Sequence, residues 1–267
     1  MSESYQPEVT GCMVVFENDP ETALKAARSF LEQNADGFLV IVDNASQSVI
    51  ADVLEKKLMS NRCKIIRNKK NDGYGGGNNL GLRFSPASAY HVVFNPDVIF
   101  HPGSMREMLR FMEQNTDVGL LSPRVVYPNG RFQPLNKLDP ALLDLFLRRF
   151  FPDILSKIPV IKKRMDRYMM LDVGYDAVVD VPFLSGCCIM FRKNLLDEND
   201  FFDERFFLYF EDADITRRMR EKSRAVFFPG ASITHVWARM AHARLSFSWI
   251  FVKSACKYFQ KWGWKLY

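Results

Sequence analysis

The sequence lacks the features that mark membrane-spanning, secreted and zinc-binding proteins. It contains no run approaching the roughly 18 consecutive apolar residues that a membrane-spanning helix needs. Residues 1–10 lack the basic segment and apolar run of a signal peptide, so we expect none. The five cysteines form no C-x-x-C pair, which favours reduced thiols in a cytoplasmic protein over a disulfide framework or a zinc site.

Acidic residues are absent after Glu221, although eight basic residues lie in that segment. The net charge of +5 therefore belongs to the C-terminal part of the chain. A local basic segment suggests an anionic partner surface. Nucleic acid is disfavoured as that partner, because no recognisable nucleic-acid-binding module accompanies the charges.

The first 120 residues alternate between short apolar runs and amphipathic segments. We expect buried strands near residues 11–18, 38–42, 64–67 and 91–94, with helices opening at Pro20 and near residue 48. This alternation predicts an α/β fold with a mostly parallel sheet that helices cover on both faces. Ligands bind at the carboxyl ends of the strands in such sheets, where Asp43 and Asp97 lie.

The pattern changes after about residue 120. We expect an amphipathic helix over residues 140–155, and one or two strands over residues 178–191, broken at Ser185-Gly186. The length of 267 residues suits one large domain or two small ones. We divide the chain into residues 1–125, residues 126–240 and a C-terminal helix at residues 241–267.

Residues 71–79 (Asn-Asp-Gly-Tyr-Gly-Gly-Gly-Asn-Asn) form a glycine-rich segment, which we expect to be a loop before a helix starting at Leu80. Glycines let a ligand approach the backbone, and the N–H groups of a helix N-terminus suit a phosphate. No Gly-Lys-Ser/Thr follows, which excludes a P-loop, and the G-x-G-x-x-G match is poor, which disfavours an NAD-type oxidoreductase. A plain turn explains the segment equally well.

Asn95-Pro96-Asp97 offers one amide oxygen and one carboxylate at the end of a strand. Both are hard oxygen ligands that suit Mg²⁺ or Mn²⁺ beside a diphosphate. A simple Asn-Pro turn is the alternative when the motif is taken alone. His235 follows a later apolar strand, where a lone histidine is usually structural.

The most informative segment is the acidic cluster Glu211-Asp212-Ala213-Asp214, which follows an aromatic stretch at residues 201–210. Three carboxylates in four residues are costly to hold ionised among apolar side chains, because burial and like charges both raise the pKa of a carboxyl group. Such a cluster favours cation binding or proton transfer. The alternative is a helix N-terminus, where acidic residues in the first turn stabilise a helix over residues 215–220.

In this order, the motifs resemble those of the family-2 glycosyltransferases, specifically the bacterial rhamnosyltransferase-like branch of O-antigen and capsule synthesis. Residues 42–46 (Val-Asp-Asn-Ala-Ser) look like that family's V-D-N-x-S, and residues 71–79 resemble its N-x-G-x-G-x-x-N-N. Residues 94–97 (Phe-Asn-Pro-Asp) look like its F-L-N-P-D, a variant of the metal-binding D-x-D, and residues 184–188 resemble its S/A-G-x-x. Residues 202–214 match F-D-E-x-F-F-x-Y-x-E-D-x-D, the most specific motif of the set.

The resemblance implies a GT-A fold, with a Rossmann-like sheet flanked by helices, and inverting transfer of a sugar from a nucleotide diphosphate. Asp212 would be the general base that deprotonates the acceptor hydroxyl, and Glu211 and Asp214 would shape its environment. Asp97 and His235 would hold a divalent metal, Mg²⁺ or Mn²⁺. The residues expected to bind the nucleotide sugar are Asp43, Gly77, Asn78, Asn79, Asn95 and Asp97.

The resemblance assigns nucleotide-sugar binding to residues 1–125, and acceptor binding and catalysis to residues 126–240. We expect L-rhamnose from dTDP-rhamnose as the donor sugar and a lipid-linked saccharide as the acceptor, in the synthesis of a cell-surface polysaccharide. UDP-galactose, UDP-glucose and UDP-GlcNAc are alternative donors. A non-catalytic sugar-binding scaffold is the alternative from another class.

Residues 241–267 are expected to form a basic, aromatic, amphipathic helix. Lys253, Lys257, Lys261 and Lys265 recur every four residues and would form one stripe. Such a helix can lie among the headgroups of an anionic leaflet, which predicts a peripheral protein at the inner face of the cytoplasmic membrane. A terminal helix that packs its aromatic side chains on the domain fits equally well, and a second copy of the chain is a further candidate partner.

Overall fold

The computed structural model describes residues 7–33, 36–150, 158–197, 201–236 and 245–267, and within them a mixed sheet of nine strands forms the centre of the molecule. The strands are β1 (Val9–Val15), β2 (Phe38–Asp43), β3 (Cys63–Arg67), β4 (Tyr90–Phe94), β5 (Val98–Phe100), β6 (Val118–Val126), β7 (Val179–Asp180), β8 (Cys188–Arg192) and β9 (Arg224–His235).

Eight α-helices lie in the same described ranges. They are α1 (Pro20–Gln33), α2 (Ile50–Leu58), α3 (Gly73–Arg83), α4 (Ser104–Gln114), α5 (Leu142–Phe150), α6 (Pro159–Tyr168), α7 (Glu211–Met219) and α8 (Leu245–Trp262). The helix expected over residues 140–155 is observed as α5, while residues 151–157 lie outside the described part of the chain. The start of the helix expected over residues 241–267 likewise falls partly outside it.

The start of α1 shows how the sequence sets a helix boundary. Asp19 Oδ2 accepts hydrogen bonds from Thr22 N at 2.8 Å and from Thr22 Oγ1 at 2.7 Å. These bonds satisfy a backbone N–H group that has no partner within the first helical turn. Pro20 follows at the first helical position, where its missing N–H group is not needed.

The strand order across the sheet is β3-β2-β1-β4-β8-β6-β9-β5, with β7 paired to β9. β1 pairs in parallel with β2 and β4, and β2 pairs in parallel with β3. β8 runs antiparallel to β4 and β6, whereas β6 runs parallel to β9. The predicted parallel arrangement therefore holds for β1 to β4, and the sheet continues without interruption into the second half of the chain.

Several chain segments meet at the side of the sheet where the carboxyl ends of β1, β2 and β4 lie, which we call the edge of the site. Because β8 is antiparallel to β4, its first residue, Cys188, pairs with the last residue of β4, Phe94. The turn before β8 therefore lies beside the segment that follows β4. The pairing of β5 with β9 places His235 opposite Val98 at the same edge.

Helices cover both faces of the sheet, as the alternating pattern predicts. On one face α1, α2 and α4 contribute buried apolar side chains such as Phe30, Leu54 and Met108. On the other face α3 and α7 contribute Leu82 and Ile215. The five cysteines are free thiols, in agreement with the expectation of reduced cysteines.

The glycine-rich segment is helical from its third residue onward. α3 begins at Gly73, so Gly75, Gly76 and Gly77 lie inside the helix, and the predicted loop with a helix start at Leu80 is wrong. Glycine has low helix propensity because it loses more backbone entropy than other residues. Packing of the helix against the sheet therefore outweighs the local preference.

Close approach of α3 to the sheet explains its glycines. A Cβ atom at Gly77 would lie 2.8 Å from the Val14 side chain, and one at Gly81 would lie 2.1 Å from Cys12 Sγ. Both distances are too short for real carbon contacts, so larger residues would push the helix away from β1. These glycines serve helix–strand packing.

The C-terminal helix α8 packs on the rest of the protein. Tyr258 and Phe259 are each 1% exposed, and they cluster with Phe206 and Phe210. This confirms the alternative in which the terminal helix buries its aromatic side chains on the domain. No helix in the described ranges is long and apolar enough to cross a membrane.

The predicted stripe of four lysines along one helix forms only in part, with Lys253 and Lys257 exposed on α8. Lys261 forms an ion pair with Asp214 at 2.7 Å, and Lys257 donates a hydrogen bond to a backbone carbonyl at 2.5 Å. Lys265 lies beyond the end of α8 at Trp262. The four-residue spacing was right for a helix, but the sequence did not show that carboxylates of the domain occupy part of that face.

Candidate active site

Asp97 and His235 lie side by side at the edge where the parallel strands end. Asp97 follows β4 in the turn to β5, and His235 is the last residue of β9. Pairing of β5 with β9 brings His235 Nε2 to 3.4 Å from Asp97 Oδ1. Asn95 Nδ2 lies 3.5 Å from the same nitrogen. The structure thus brings together the three residues predicted at the metal and the diphosphate.

Gln133 orients the imidazole ring of His235. Its side chain is 2% exposed, and its Oε1 lies 3.1 Å from His235 Nδ1. An amide oxygen only accepts hydrogen bonds, so Nδ1 donates its proton to Gln133, and Nε2 is the ring nitrogen that faces Asp97. A histidine held through its other ring nitrogen is typical of metal ligands. Nothing in the sequence distinguishes Gln133 from a surface glutamine.

The donor set fits part of the coordination shell of a hard divalent cation. The carboxylate of Asp97 and the amide oxygen of Asn95 are ligand types that Mg²⁺ and Mn²⁺ accept. Among the described residues, no group of three or more His, Cys, Asp or Glu side chains could hold a metal ion. A cation held by Asp97 and His235 would therefore need further ligands from outside this set.

The Gly186-Cys187 dipeptide links this pair to the acidic cluster. Cys187 O accepts a hydrogen bond from Asn95 N at 2.9 Å. Gly186 N donates to Asp212 Oδ2 at 3.0 Å. Asp97 and Asp212, far apart in sequence, therefore lie on either side of one dipeptide.

Asp212 sits in the first turn of α7, with both carboxylate oxygens hydrogen-bonded. Oδ2 accepts from Gly186 N, and Oδ1 accepts from Ala213 N at 2.9 Å. Burial raises the pKa of Asp212, and this effect outweighs the lowering by the charge of Lys137 and by backbone N–H groups. A raised pKa makes this carboxylate a stronger proton acceptor, provided that it stays ionised.

Glu211 is more deeply buried than its neighbour. The side chain is 5% exposed, and Oε2 has no hydrogen-bond partner within the described chain. Burial, followed by the nearby charge of Asp212, raises the pKa of Glu211 well above its usual range. Because Asp212 accepts hydrogen bonds from two N–H groups and the charge of Lys137 lowers its pKa, the negative charge of the pair belongs on Asp212 rather than on Glu211.

A strained turn precedes these two carboxyl groups. Tyr209 and Phe210 have φ angles of 69° and 70°, in the left-handed region that non-glycine residues seldom adopt. Such residues cost on the order of 1–3 kcal/mol each and persist only where surrounding contacts hold them. The Phe210 ring packs 5.2 Å from Phe251 and 5.5 Å from Tyr258 of α8. The C-terminal helix therefore holds the turn that positions Glu211 and Asp212.

Lys137 is a site residue that the sequence did not indicate. It is 8% exposed, and its Nζ lies 4.2 Å from the centroid of the Phe183 ring. Burial, and then the charge of Arg148, lowers the pKa of Lys137 to about 8, against an opposing effect of Asp212. A buried cation thus faces the predicted base. In the sequence it stands among turn residues without a recognisable motif.

Asp43 and Asn44 lie at the same edge, where β2 ends. Asp43 is 5% exposed, and its Oδ1 accepts a hydrogen bond from Ser46 N at 3.0 Å. Asn44 Nδ2 donates to Asn71 Oδ1 and to Gly73 O, each at 2.9 Å. Asn44 therefore ties this turn to the start of α3. Contact between Asp43 and a nucleotide sugar stays a prediction.

Asn78 and Asn79 of α3 point into the protein. Asn79 Nδ2 donates to Phe202 O, and its Oδ1 accepts from Phe202 N, both at 2.8 Å. Asn78 Nδ2 donates to Tyr74 O at 3.0 Å, while its buried Oδ1 has no partner in the residues described. Asn79 is thus held by contacts within the protein, as is Gly77, which packs against Val14. Direct contact of Gly77, Asn78 and Asn79 with a nucleotide sugar stays a prediction.

Asp214 anchors the C-terminal helix. The resemblance implies that it also shapes the surroundings of Asp212, which stays a prediction. The Asp214 side chain is fully buried. It accepts hydrogen bonds from Arg218 Nε at 2.9 Å, and from Lys261 Nζ and Trp262 Nε1, each at 2.7 Å. Paired partners of this kind are what a buried charge requires.

Residues 12–199, most of the chain, match the model of Glycosyl transferase family 2. The chain belongs to this family, which confirms the family expected from its motifs.

Two curated relatives show the range of activities around this chain. It is 25% identical to the low-salt glycan biosynthesis hexosyltransferase Agl10 of Haloferax volcanii over 187 residues, which are 69% of this chain and 53% of that protein. It is 28% identical to the N-acetylglucosaminyl-diphospho-decaprenol L-rhamnosyltransferase of Mycobacterium tuberculosis over 149 residues, which are 54% of this chain and 46% of that one. The chain therefore spans about half the length of these relatives.

Solved structures confirm the GT-A-like α/β fold. The mannosyltransferase PcManGT from Pyrobaculum calidifontis, in complex with GDP-Man and Mn²⁺, matches with a TM-score of 0.64 at 15% identity, over 96% of this chain and 65% of that one. GalNAc-T7, with UDP, GalNAc and Mn²⁺, matches with a TM-score of 0.64 at 12% identity, over 86% of this chain and 43% of that one. Both of these structural neighbours bind Mn²⁺.

Proposed function

We propose that the chain is an inverting glycosyltransferase in which Asp212 is the general base, while Asp97 and His235 hold a divalent metal at the donor diphosphate. The observation that carries this proposal is the Gly186-Cys187 dipeptide, which is hydrogen-bonded to Asp212 on one side and to the turn bearing Asp97 on the other. Inverting displacement needs such an arrangement, because the attacking hydroxyl and the leaving group lie on opposite sides of the sugar carbon.

Asp212 would take the proton of the acceptor hydroxyl as its oxygen attacks the anomeric carbon. The bond between that carbon and the diphosphate oxygen breaks in the same step, and the nucleotide diphosphate leaves. A positioned general base contributes roughly 10²–10⁴-fold to such a rate. The hydrogen bonds from Gly186 and Ala213 fix the carboxylate orientation for this task.

A Mg²⁺ or Mn²⁺ ion, held by Asp97 and His235, would neutralise charge on the leaving diphosphate. Gln133 supports this role, because its hydrogen bond with Nδ1 holds His235 with Nε2 toward Asp97. Asn95 would contribute an amide oxygen. It stands where the D-x-D motif has a carboxylate, so this site carries one negative charge fewer and should bind the metal more weakly.

The proposed donor is dTDP-rhamnose, and the proposed acceptor is a lipid-linked saccharide for a cell-surface polysaccharide. A relative that is named as an L-rhamnosyltransferase acting on a diphospho-decaprenol substrate supports both choices. Another relative is named only as a hexosyltransferase, so UDP-galactose, UDP-glucose and UDP-GlcNAc stay alternatives. A lipid-linked acceptor would place the enzyme peripherally at the inner face of the cytoplasmic membrane.

A thermal-shift screen of nucleotide sugars tests the donor. A ligand that binds only the folded state raises the melting temperature according to its affinity and concentration. We expect dTDP-rhamnose with Mn²⁺ to give a larger shift than UDP- or GDP-sugars. A larger shift with a UDP-sugar would identify that sugar as the donor in place of dTDP-rhamnose. Absence of binding and of turnover with every donor would favour the sugar-binding scaffold.

A further inference from the structure

A basic cavity of about 480 Å³ lies between α6, the start of α5 and the C-terminal residues. The basic cavity is defined by six charged side chains, which are Asp139, Asp144, Lys163, Arg164, Arg167 and Lys265. Four of these are cationic and two are acidic. No function assigned so far uses this cavity.

Both carboxylates of the basic cavity are already neutralised. Asp139 pairs with Arg220 at 2.8 Å, and Asp144 pairs with Arg164 at 2.5 Å. Lys163, Arg167 and Lys265, in contrast, have no carboxylate within ion-pair distance in the part of the chain that the structure describes. Three cations therefore face the cavity with uncompensated charge, which is the requirement for binding a polyanion.

The basic cavity adjoins the Asp212 side of the active site. Tyr168 forms part of its wall, and Tyr168 O accepts a hydrogen bond from Leu138 N at 2.9 Å, next to Lys137. Lys137 exchanges backbone hydrogen bonds with Phe183, three residues before Gly186, whose N–H group donates to Asp212. Backbone hydrogen bonds therefore connect the wall of the cavity to the Asp212 side of the active site.

Exposed apolar side chains border the same cavity. Val160 and Tyr267 line it, although they are 79% and 76% exposed, and Leu266 beside them is 62% exposed. Leu142 N donates to Lys265 O at 2.9 Å, which fixes the C-terminal residues against α5. Cations and exposed apolar groups together suit a ligand with an anionic head and a hydrocarbon chain.

We propose that the basic cavity binds the diphosphate of a lipid-linked acceptor, and that the apolar side chains beside it contact the first part of its hydrocarbon chain. This inference rests on the proposed function, because it assigns the acceptor to the Asp212 side. Lys163, Arg167 and Lys265 would form charge-assisted hydrogen bonds with the phosphate oxygens. The sugar attached to the diphosphate would then extend toward Asp212.

Titration of the full chain with farnesyl diphosphate tests the site. We expect saturable binding to the wild type by calorimetry, and an affinity at least about tenfold weaker in the double variant Lys163→Ala/Arg167→Ala, since hydrogen bonds to charged groups are worth that much. The matched control Lys25→Ala/Arg110→Ala removes the same charge from exposed positions on α1 and α4 and should bind as the wild type does. Equal affinity in both double variants, or no saturable wild-type binding, would overturn the proposal.

A second arm separates a diphosphate site from general attraction to membranes. Vesicles of phosphatidylcholine with phosphatidylglycerol should not compete with farnesyl diphosphate at equal exposed phosphate. Effective competition would mean that the cavity contacts bulk anionic lipid, which contradicts the proposal.

Binding of dTDP and UDP with Mn²⁺, measured in the same proteins, should be unchanged by Lys163→Ala/Arg167→Ala. Wild-type failure to bind any nucleotide would refute the proposed function, whereas the farnesyl diphosphate result judges the cavity by itself.

Discussion

Buried polar atoms without partners concentrate around the proposed site at the residue scale. Five such side-chain atoms occur in the described residues, and they belong to Asn78, His91, Gln133, Asn136 and Glu211. Gln133 holds His235, Asn136 precedes Lys137, and Glu211 precedes Asp212. Native proteins leave few buried polar groups unpaired, so this concentration points to groups that a ligand or ordered water would satisfy.

Removal of the charge at Lys137 should change the pH dependence of catalysis. The charge of Lys137 lowers the pKa of Asp212 against the larger effect of burial. Lys137→Met therefore raises that pKa, and Asp212 loses its ionised form at a higher pH. We expect the acidic limb of the kcat/KM profile to move to higher pH, while Lys222→Met, at an exposed position, leaves it in place. An unmoved limb in Lys137→Met would contradict the coupling.

The metal site predicts a graded response to two substitutions. Loss of a residue that orients a metal ligand typically lowers metal affinity about 10–100-fold, so Gln133→Leu should weaken Mn²⁺ activation by that amount. His235→Ala should weaken it further, and a chelator should reduce wild-type activity. Titration of activity with Mn²⁺ measures all of these effects. His101→Ala is the control, since His101 contacts the neighbouring Thr234, and an equal loss in this variant would contradict the assignment.

At the scale of secondary-structure elements, the contact between α3 and β1 sets the position of the glycine-rich helix. Gly81→Ala should destabilise the fold by about 1–3 kcal/mol through overpacking against Cys12 Sγ. Cys12→Ala removes that sulfur atom, so the double variant should recover part of the loss. Urea unfolding of both single variants and the double variant measures the coupling. Simple additivity of the two changes in unfolding free energy would show that the close contact is not the cause.

The strained turn before α7 depends on α8, which links the C-terminal helix to catalysis. Phe251→Ala removes the ring that packs 5.6 Å from Tyr209 and 5.2 Å from Phe210. A misplacement of about 1 Å can cost about 10²-fold in rate, so we expect kcat to fall at least tenfold with nucleotide affinity unchanged. Trp249→Ala, on the same helix at a position 62% exposed, should retain full kcat. Matching losses in the two variants would rule out support of the turn as the role of α8.

At the scale of the whole molecule, the sheet could be predicted from the sequence, and so could the part of the site at the ends of β2 and β4. β2 and β4 are continuous apolar runs that end in Asp43 and just before Asn95, and such runs mark buried parallel strands. The helical course of residues 73–83 could not be predicted, because their local propensity opposes helix formation and packing of the helix against β1 and β2 outweighs it. The burial of Lys261 against Asp214 was likewise hidden, since the spacing of lysines carries no information about a partner distant in sequence.

Two members of the site lay beyond sequence reasoning for a different reason. Gln133 and Lys137 belong to the irregular segment between β6 and α5, where no periodicity identifies a buried face. Long-range pairing decides their positions. Gln133 N bonds to Val125 O at 2.9 Å, and Lys137 exchanges backbone hydrogen bonds with Phe183. Gln133 and Lys137 have no neighbours in sequence that would mark them as part of a motif, so the sequence does not reveal their place in the site.

The central claim is that Asp212 acts on the acceptor, separately from the residues that bind the donor. Single-turnover transfer and nucleotide-sugar affinity, measured together for Asp212→Asn, test it most directly. The substitution keeps the shape of the side chain but removes the proton acceptor, so we predict a loss of transfer of about 10²–10⁴-fold with donor affinity nearly unchanged. Asp176→Asn, at an exposed position, should match the wild type in both measurements. Near-normal transfer by Asp212→Asn, or a loss of donor affinity as large as the loss of transfer, would contradict the claim.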